Sequence, residues 1–150
     1  MIECHTHEYI RTGSFDSKFG FGIEYLNILF NRISNTKHLK LKGLHAHIGS
    51  QIFELDPHKD LGEIMVKVIL DAKKFGHNIV ELNVGGGLGI RYTESDDPPS
   101  IDEWVKTISS SVVEACKKYN LDFPTLISLI LWSYFLASKM TFTIISPRSL

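Results

Sequence analysis

The sequence predicts an α/β fold built on a parallel sheet with crossover helices, and three observations predict it. Short β-like runs alternate with three amphipathic helical stretches along 150 residues. The two longer helical stretches carry start and stop signals. In residues 79–84, Val80, Leu82 and Val84 alternate with polar neighbours. A strand buried on both faces of an open doubly wound sheet is more uniformly apolar, so the alternation favours a barrel-like arrangement.

The elements follow in order. Residues 2–7 read as a first strand. Residues 23–34 read as a helix with Leu26, Leu29, Phe30 and Ile33 inward, and residues 39–48 as a second strand. Asp56 is placed to cap the next helix, Pro57 suits its first position and Gly76 its stop. Between them Leu61, Met65, Val68, Ile69, Ala72 and Phe75 recur at the helical period. The strand at residues 79–84 leads into a long connection that ends in Ser95, Asp96, Asp97, Pro98 and Pro99. Ser100 and Glu103 then form a capping box. Ile101, Trp104, Val105, Ile108, Val112, Ala115 and Tyr119 share one side of the helix it opens, and residues 125–131 make the last strand.

Composition narrows the function. Hydrophobic residues are 43% and charged residues 22% of the chain, a globular balance that can bury one core. The net charge of −1 and the scattered basic residues give nucleic-acid binding no electrostatic support. Cys4 and Cys116 form no CxxC pair and the N-terminus has no secretory layout, so a reducing, cytoplasmic setting is expected. The apolar run at residues 126–137 falls short of the about 20 residues a bilayer span needs. Ser128, Ser133 and Tyr134 interrupt it, so it is expected to be a buried strand or an irregular tail, with no membrane partner.

Parallel α/β folds bind ligands beyond the C-terminal ends of their strands. Two unusual segments lie there. One runs Leu44, His45, Ala46, His47, Ile48, Gly49, Ser50, Gln51; the other runs Asn83, Val84, Gly85, Gly86, Gly87, Leu88, Gly89. Glycines expose successive N–H groups that can nest an anion such as phosphate, and Ser50 can add a hydroxyl donor. An imidazole at a strand mouth can stack on a planar ligand. Together they suggest a phosphorylated, planar cofactor.

Plainer readings stand beside this one. The glycine run is not a dinucleotide fingerprint, because its spacing is GGGxG and the next helix begins more than ten residues later; it can be a tight turn alone. His45 and His47 share a strand face and could ligate a metal, as in amidohydrolase barrels, but such sites need further histidines and a carboxylate. His58 and His77, at a helix start and after a helix end, are poorly placed to supply them, so no metal is expected.

His47-Ile-Gly-Ser-Gln51, Gly85-Gly-Gly-Leu-Gly89 and the upstream His7-Glu-Tyr-Ile-Arg-Thr-Gly13 with Lys18-Phe-Gly20 resemble, in order and spacing, the motifs of diaminopimelate decarboxylases. These belong to the alanine-racemase-like pyridoxal-phosphate enzymes, and the resemblance runs from about residue 2 to residue 128. It implies an eight-stranded α/β barrel of the TIM type, of which this chain would form about half, with roughly four strands and three helices. Residues 1–128 would be the partial pyridoxal-phosphate-binding barrel and residues 129–150 a divergent apolar tail. His47 would stack on the cofactor ring, while Ser50 and the amides around Gly85, Gly86 and Gly87 would hold its phosphate. The family acts on a small amino-acid substrate, converting meso-diaminopimelate to L-lysine and carbon dioxide, and works as a homodimer.

The resemblance also implies what is missing. The Schiff-base lysine lies upstream of this sequence, and Lys18, Lys40 and Lys42 occupy other places in the pattern. The family's Glu-Pro-Gly-Arg motif is replaced by Leu129, Ile130, Leu131 and Trp132. The carboxylate that pairs with the ring nitrogen and the arginine that grips phosphate are thus absent, as is the C-terminal β-domain. No catalytic residue is therefore expected here, and the chain alone is expected to be inactive. The rival readings are a non-catalytic remnant or half-barrel that needs a complementing chain and, more remotely, a metal-dependent hydrolase using His45 and His47.

Overall fold

A computed structural model describes residues 20–130 and 138–142. The first expected strand, residues 2–7, lies outside the described residues, as do Cys4 and His7. A short 3-10 turn at Ile23–Tyr25 leads into helix α1, Leu26–Ser34. Then follow β1 (Gly43–His45), α2 (Asp56–Lys74), β2 (Glu81–Asn83), α3 (Ile101–Tyr119), β3 (Thr125–Ile130) and β4 (Ser138–Phe142).

The four strands form one sheet in the order β1-β2-β3-β4. β1 pairs parallel with β2, and β2 parallel with β3. Consecutive parallel neighbours with α2 packed on α3 make a singly wound sheet, because right-handed crossovers then place both helices on one face. Register aligns Leu44, Leu82 and Leu126 in a row across the sheet. Leu82 and Leu126 are fully buried in the core and Leu44 packs against it. Because side chains alternate, His45, Asn83 and Ile127 form a row on the opposite face.

Two expectations about the sheet are corrected. The strands expected over residues 39–48 and 79–84 are only three residues each, although their hydrogen bonding reaches further. Val80 N–H donates to Lys42 O, Ala46 N–H to Asn83 O and Val84 N–H to Ile127 O. The chain bends away after these bonds because it must build loops there. The sheet is also not wholly parallel: β4, from the tail after residue 128, runs antiparallel to β3, with Ile130 opposite Ser138 and Leu126 opposite Phe142.

The helices follow their apolar stripes, with corrections at their starts. α2 buries Leu61, Met65, Val66, Ile69 and Ala72, while Val68 and Phe75 are half-buried at its edge. Asp56 is the first helical residue rather than the cap; Leu55 occupies the cap position and contributes no side-chain bond. Gly76, with φ of +79°, follows the end of α2 as expected. α3 buries Trp104, Ile108, Val112, Ala115 and Cys116, whereas Ile101, in its first turn, is 45% exposed. The capping box is present: Glu103 N–H donates to Ser100 Oγ at 3.2 Å and Ser100 N–H to Glu103 Oε2 at 2.9 Å. α2 and α3 approach closely at Gly62, where a Cβ would lie 2.6 Å from Ser111 Oγ. No helix among the described residues is long and apolar enough to cross a membrane.

Candidate cofactor site

The two segments singled out in the sequence come together at the C-terminal ends of β1 and β2. Ile52 N–H donates to Gly87 O and Gly89 N–H donates to Ile52 O, both at 2.9 Å, making a single parallel bridge between the loops. The contact is close enough to demand glycine. A Cβ on Gly85 would lie 2.8 Å from both Ala46 O and His47 Nδ1, and a Cβ on Gly87 would run into Gly49 O. Gly85 and Gly87 also have φ of +70° and +101°, a region glycine enters without a Cβ penalty.

Three side chains that the sequence did not assign hold this loop in shape. Asn83 Oδ1 accepts the Gly85 N–H at 2.9 Å, an Asx turn that diverts the chain from β2. Ser128, fully buried on β3, donates its hydroxyl to Gly85 O at 2.6 Å. Gln51 Nε2 donates to Ile90 O at 2.6 Å, and Ile90 N–H donates to Gln51 Oε1 at 3.1 Å. An Asn at a strand end, two residues before a glycine run, was a legible cue for the first. Nothing local in the sequence marked the other two, because their partners lie 43 and 39 positions away.

His47 faces this loop: Gly86 N–H points at its Nδ1 at 3.5 Å, the long limit of a hydrogen bond. An acceptor at Nδ1 places the proton of a neutral ring on Nε2. Partial burial, with a smaller contribution from His45, lowers the His47 pKa below the usual histidine value, so the ring is neutral at pH 7. Ser50 sits exposed between Gly49 and Gln51, whose φ values are +133° and +58°. Among the described residues its hydroxyl makes no hydrogen bond, and the Gly87 amide has no acceptor. His47, Ser50, Gly85, Gly86 and Gly87 are thus gathered around one loop contact. The Gly85 and Gly86 amides are taken by Asn83 and His47, so a neutral flat ring, a free hydroxyl and the Gly87 amide are what fit the ring and phosphate of a pyridoxal cofactor.

His45, His58 and His77 have other surroundings. His45 ends β1 and is exposed. His77 Nε2 lies 2.9 Å from Phe30 O and 3.1 Å from Ser34 Oγ, tying α1 to the end of α2. His58, in the first turn of α2, is fully buried against Trp104. Among the described residues no group of three or more His, Cys, Asp or Glu side chains is arranged to hold a metal ion.

Known proteins resemble the chain over this same region. The model of the pyridoxal-dependent decarboxylase family, pyridoxal-binding domain, matches residues 1–128. The diaminopimelate decarboxylase of Synechocystis is 56% identical over 127 residues, covering 85% of this chain and 27% of that protein. The Bacillus subtilis diaminopimelate decarboxylase is 40% identical, covering 82% of this chain and 29% of that protein. Among solved structures, the Helicobacter pylori diaminopimelate decarboxylase complexed with L-lysine superposes with a TM-score of 0.70 at 26% identity, over 83% of this chain and 29% of that one. The M. jannaschii enzyme, also in complex with L-lysine, gives 0.71 at 27% identity over 82% of this chain and 28% of that one. The chain therefore spans less than a third of the length of these relatives. It belongs to the pyridoxal-dependent decarboxylases, within their pyridoxal-binding domain, and its relatives there are diaminopimelate decarboxylases.

Proposed function

We propose that the chain is a section of a diaminopimelate decarboxylase barrel that keeps one side of the cofactor cradle and, by itself, turns over no substrate. The observation that carries this reading is the junction of the His47–Ser50 and Gly85–Gly87 loops beyond the parallel strands. The singly wound order β1-β2-β3 supports membership of a barrel rather than an open doubly wound sheet.

In this reading His47 offers a neutral imidazole face to the pyridine ring, held at Nδ1 by the Gly86 amide. Ser50 Oγ and the Gly87 amide, which has no acceptor among the described residues, donate to phosphate. Ser128 and Asn83 fix the Gly85 peptide, so the loop needs no rearrangement when an anion arrives. Bound there, pyridoxal phosphate would supply a conjugated cationic ring that accepts the electrons released when a carboxylate is lost from an amino acid. The described residues of the site bind and orient the cofactor. The Leu129–Trp132 replacement leaves the phosphate without an arginine and the ring nitrogen without a carboxylate. We further propose residues 1–128 as the barrel portion, residues 129–150 as a divergent tail, a cytoplasmic setting, and the family's homodimeric habit as a source of self-association. A half-barrel completed by a second chain is the alternative; β1, at one edge of the described sheet, favours it.

Absorbance titration of the purified chain with pyridoxal phosphate tests the proposal. Weak saturable binding that is lost in His47→Ala and Ser50→Ala, with no L-lysine formed from meso-diaminopimelate, is the expected result. Binding unaffected by both substitutions would remove the cradle; L-lysine formation by the isolated chain would remove the claim of inactivity.

A further inference from the structure

We propose that Gln51 is a positioning residue: its side-chain amide clamps the Ser50 loop to the glycine loop in the register that lets both address one phosphate. This rests on the cofactor reading above. Gln51 adopts a left-handed backbone, φ +58°, a conformation that costs a non-glycine residue free energy and persists only where surroundings enforce it. What that conformation achieves is visible in the bonds. The Gln51 amide both donates to and accepts from the backbone of Ile90, at 2.6 and 3.1 Å, as a neighbouring strand residue would. Only one orientation of the amide satisfies both bonds.

The adjoining residue completes the seam. Ile52 N–H donates to Gly87 O, and Ile52 O accepts from Gly89 N–H. Four hydrogen bonds from two consecutive residues therefore stitch one loop to the other, and the Gln51 pair lies on the far side of Gly89 from the cradle. Without that pair the seam would hang on Ile52 alone and could pivot there. Gly87, against Gly49 O, and Ser50, next to Gln51, would be the first positions to separate. Ser50 owes its exposed place at the turn to its two positive-φ neighbours, Gly49 and Gln51.

The test substitutes Gln51→Met, which keeps length and neutrality but removes both bonds, and reads two quantities. Amide exchange of Ile90, whose N–H is bonded to Gln51 Oε1, is expected to speed up at least tenfold while the urea midpoint of the whole chain stays close to wild type. Affinity for pyridoxal phosphate, and for inorganic phosphate as a separate probe, is expected to fall by about tenfold, the loss of one tie of about 1.4 kcal/mol. Unchanged Ile90 exchange overturns the clamp. Faster exchange with unchanged affinity for both probes overturns the positioning role. If the wild-type chain binds neither probe, the cofactor reading fails and takes the positioning role with it, while Ile90 exchange still decides whether the clamp exists.

Discussion

The imidazole of His58 meets the indole of Trp104 edge-on, with ring centroids 5.5 Å apart and planes at 80°, and both side chains are fully buried. Neither His58 nitrogen nor Trp104 Nε1 has a hydrogen-bond partner among the described residues. Burial, with His47 adding a smaller repulsion, pushes the His58 pKa down to about 4. The unfolded chain, with an ordinary histidine value near 6.5, therefore takes up protons where the folded chain does not. Stability is expected to be whole above about pH 6.5 and to fall as pH drops towards 4, by up to about 3 kcal/mol for His58. The lowered His47 pKa acts in the same direction. Urea midpoints measured from pH 7.5 to 4.5 check this; His58→Leu should flatten the slope, and an equal slope in that variant would assign the effect elsewhere.

Two glycines with positive φ separate backbone strain from collision. Gly76, at φ +79°, has nothing within 4 Å of where a Cβ would stand, whereas a Cβ on Gly87 would meet Gly49 O. Gly76→Ala is expected to cost about 1 kcal/mol from strain alone. Gly87→Ala adds a backbone clash and should cost about 3 kcal/mol or more, with loss of the loop junction. Thermal unfolding of the two variants side by side gives the comparison; equal losses would mean that the loops are not in contact.

At the helix crossing the usual preference reverses. An interior Gly→Ala change in a helix ordinarily gains up to about 1 kcal/mol. At Gly62 the added Cβ would lie 2.6 Å from Ser111 Oγ and 2.9 Å from Ser111 Cβ. Gly62→Ala is expected to destabilise by about 1–3 kcal/mol, with partial recovery on adding Ser111→Gly, as read from urea midpoints. A more stable Gly62→Ala chain would show that α2 and α3 stand further apart.

The start of α3 offers a milder test. Ser100→Ala removes the acceptor for Glu103 N–H and should cost about 1 kcal/mol. Circular dichroism during denaturation would record this; no change would mean that another group takes over the cap.

The helices were legible because their signals are local. The stripe from Leu61 to Ala72 and the Ser100–Glu103 pair each fall within a few turns of one another, and both appear in the structure. The cap of α2 was misplaced by one residue, since Asp56 is as suitable in a first turn as at a cap. His47, Ser50 and the Gly85–Gly87 run were found by their peculiarity at strand ends. Their supports, Gln51 and Ser128, were not, because neither residue type nor periodicity reports a partner some 40 positions away. The antiparallel direction of β4 was equally hidden: an apolar tail advertises burial but not heading.

That heading has a consequence for assembly. β4 takes the hydrogen-bonding groups on the outer side of β3, from Leu126 to Ile130, with a strand running the opposite way. A parallel strand of another polypeptide would need those same groups to extend the sheet from β3. The tail and such a partner therefore compete for a single seat. Extending the sheet from β3 with another chain would be a displacement reaction, with β4 as the resident inhibitor, and shortening the chain before residue 138 would clear the way.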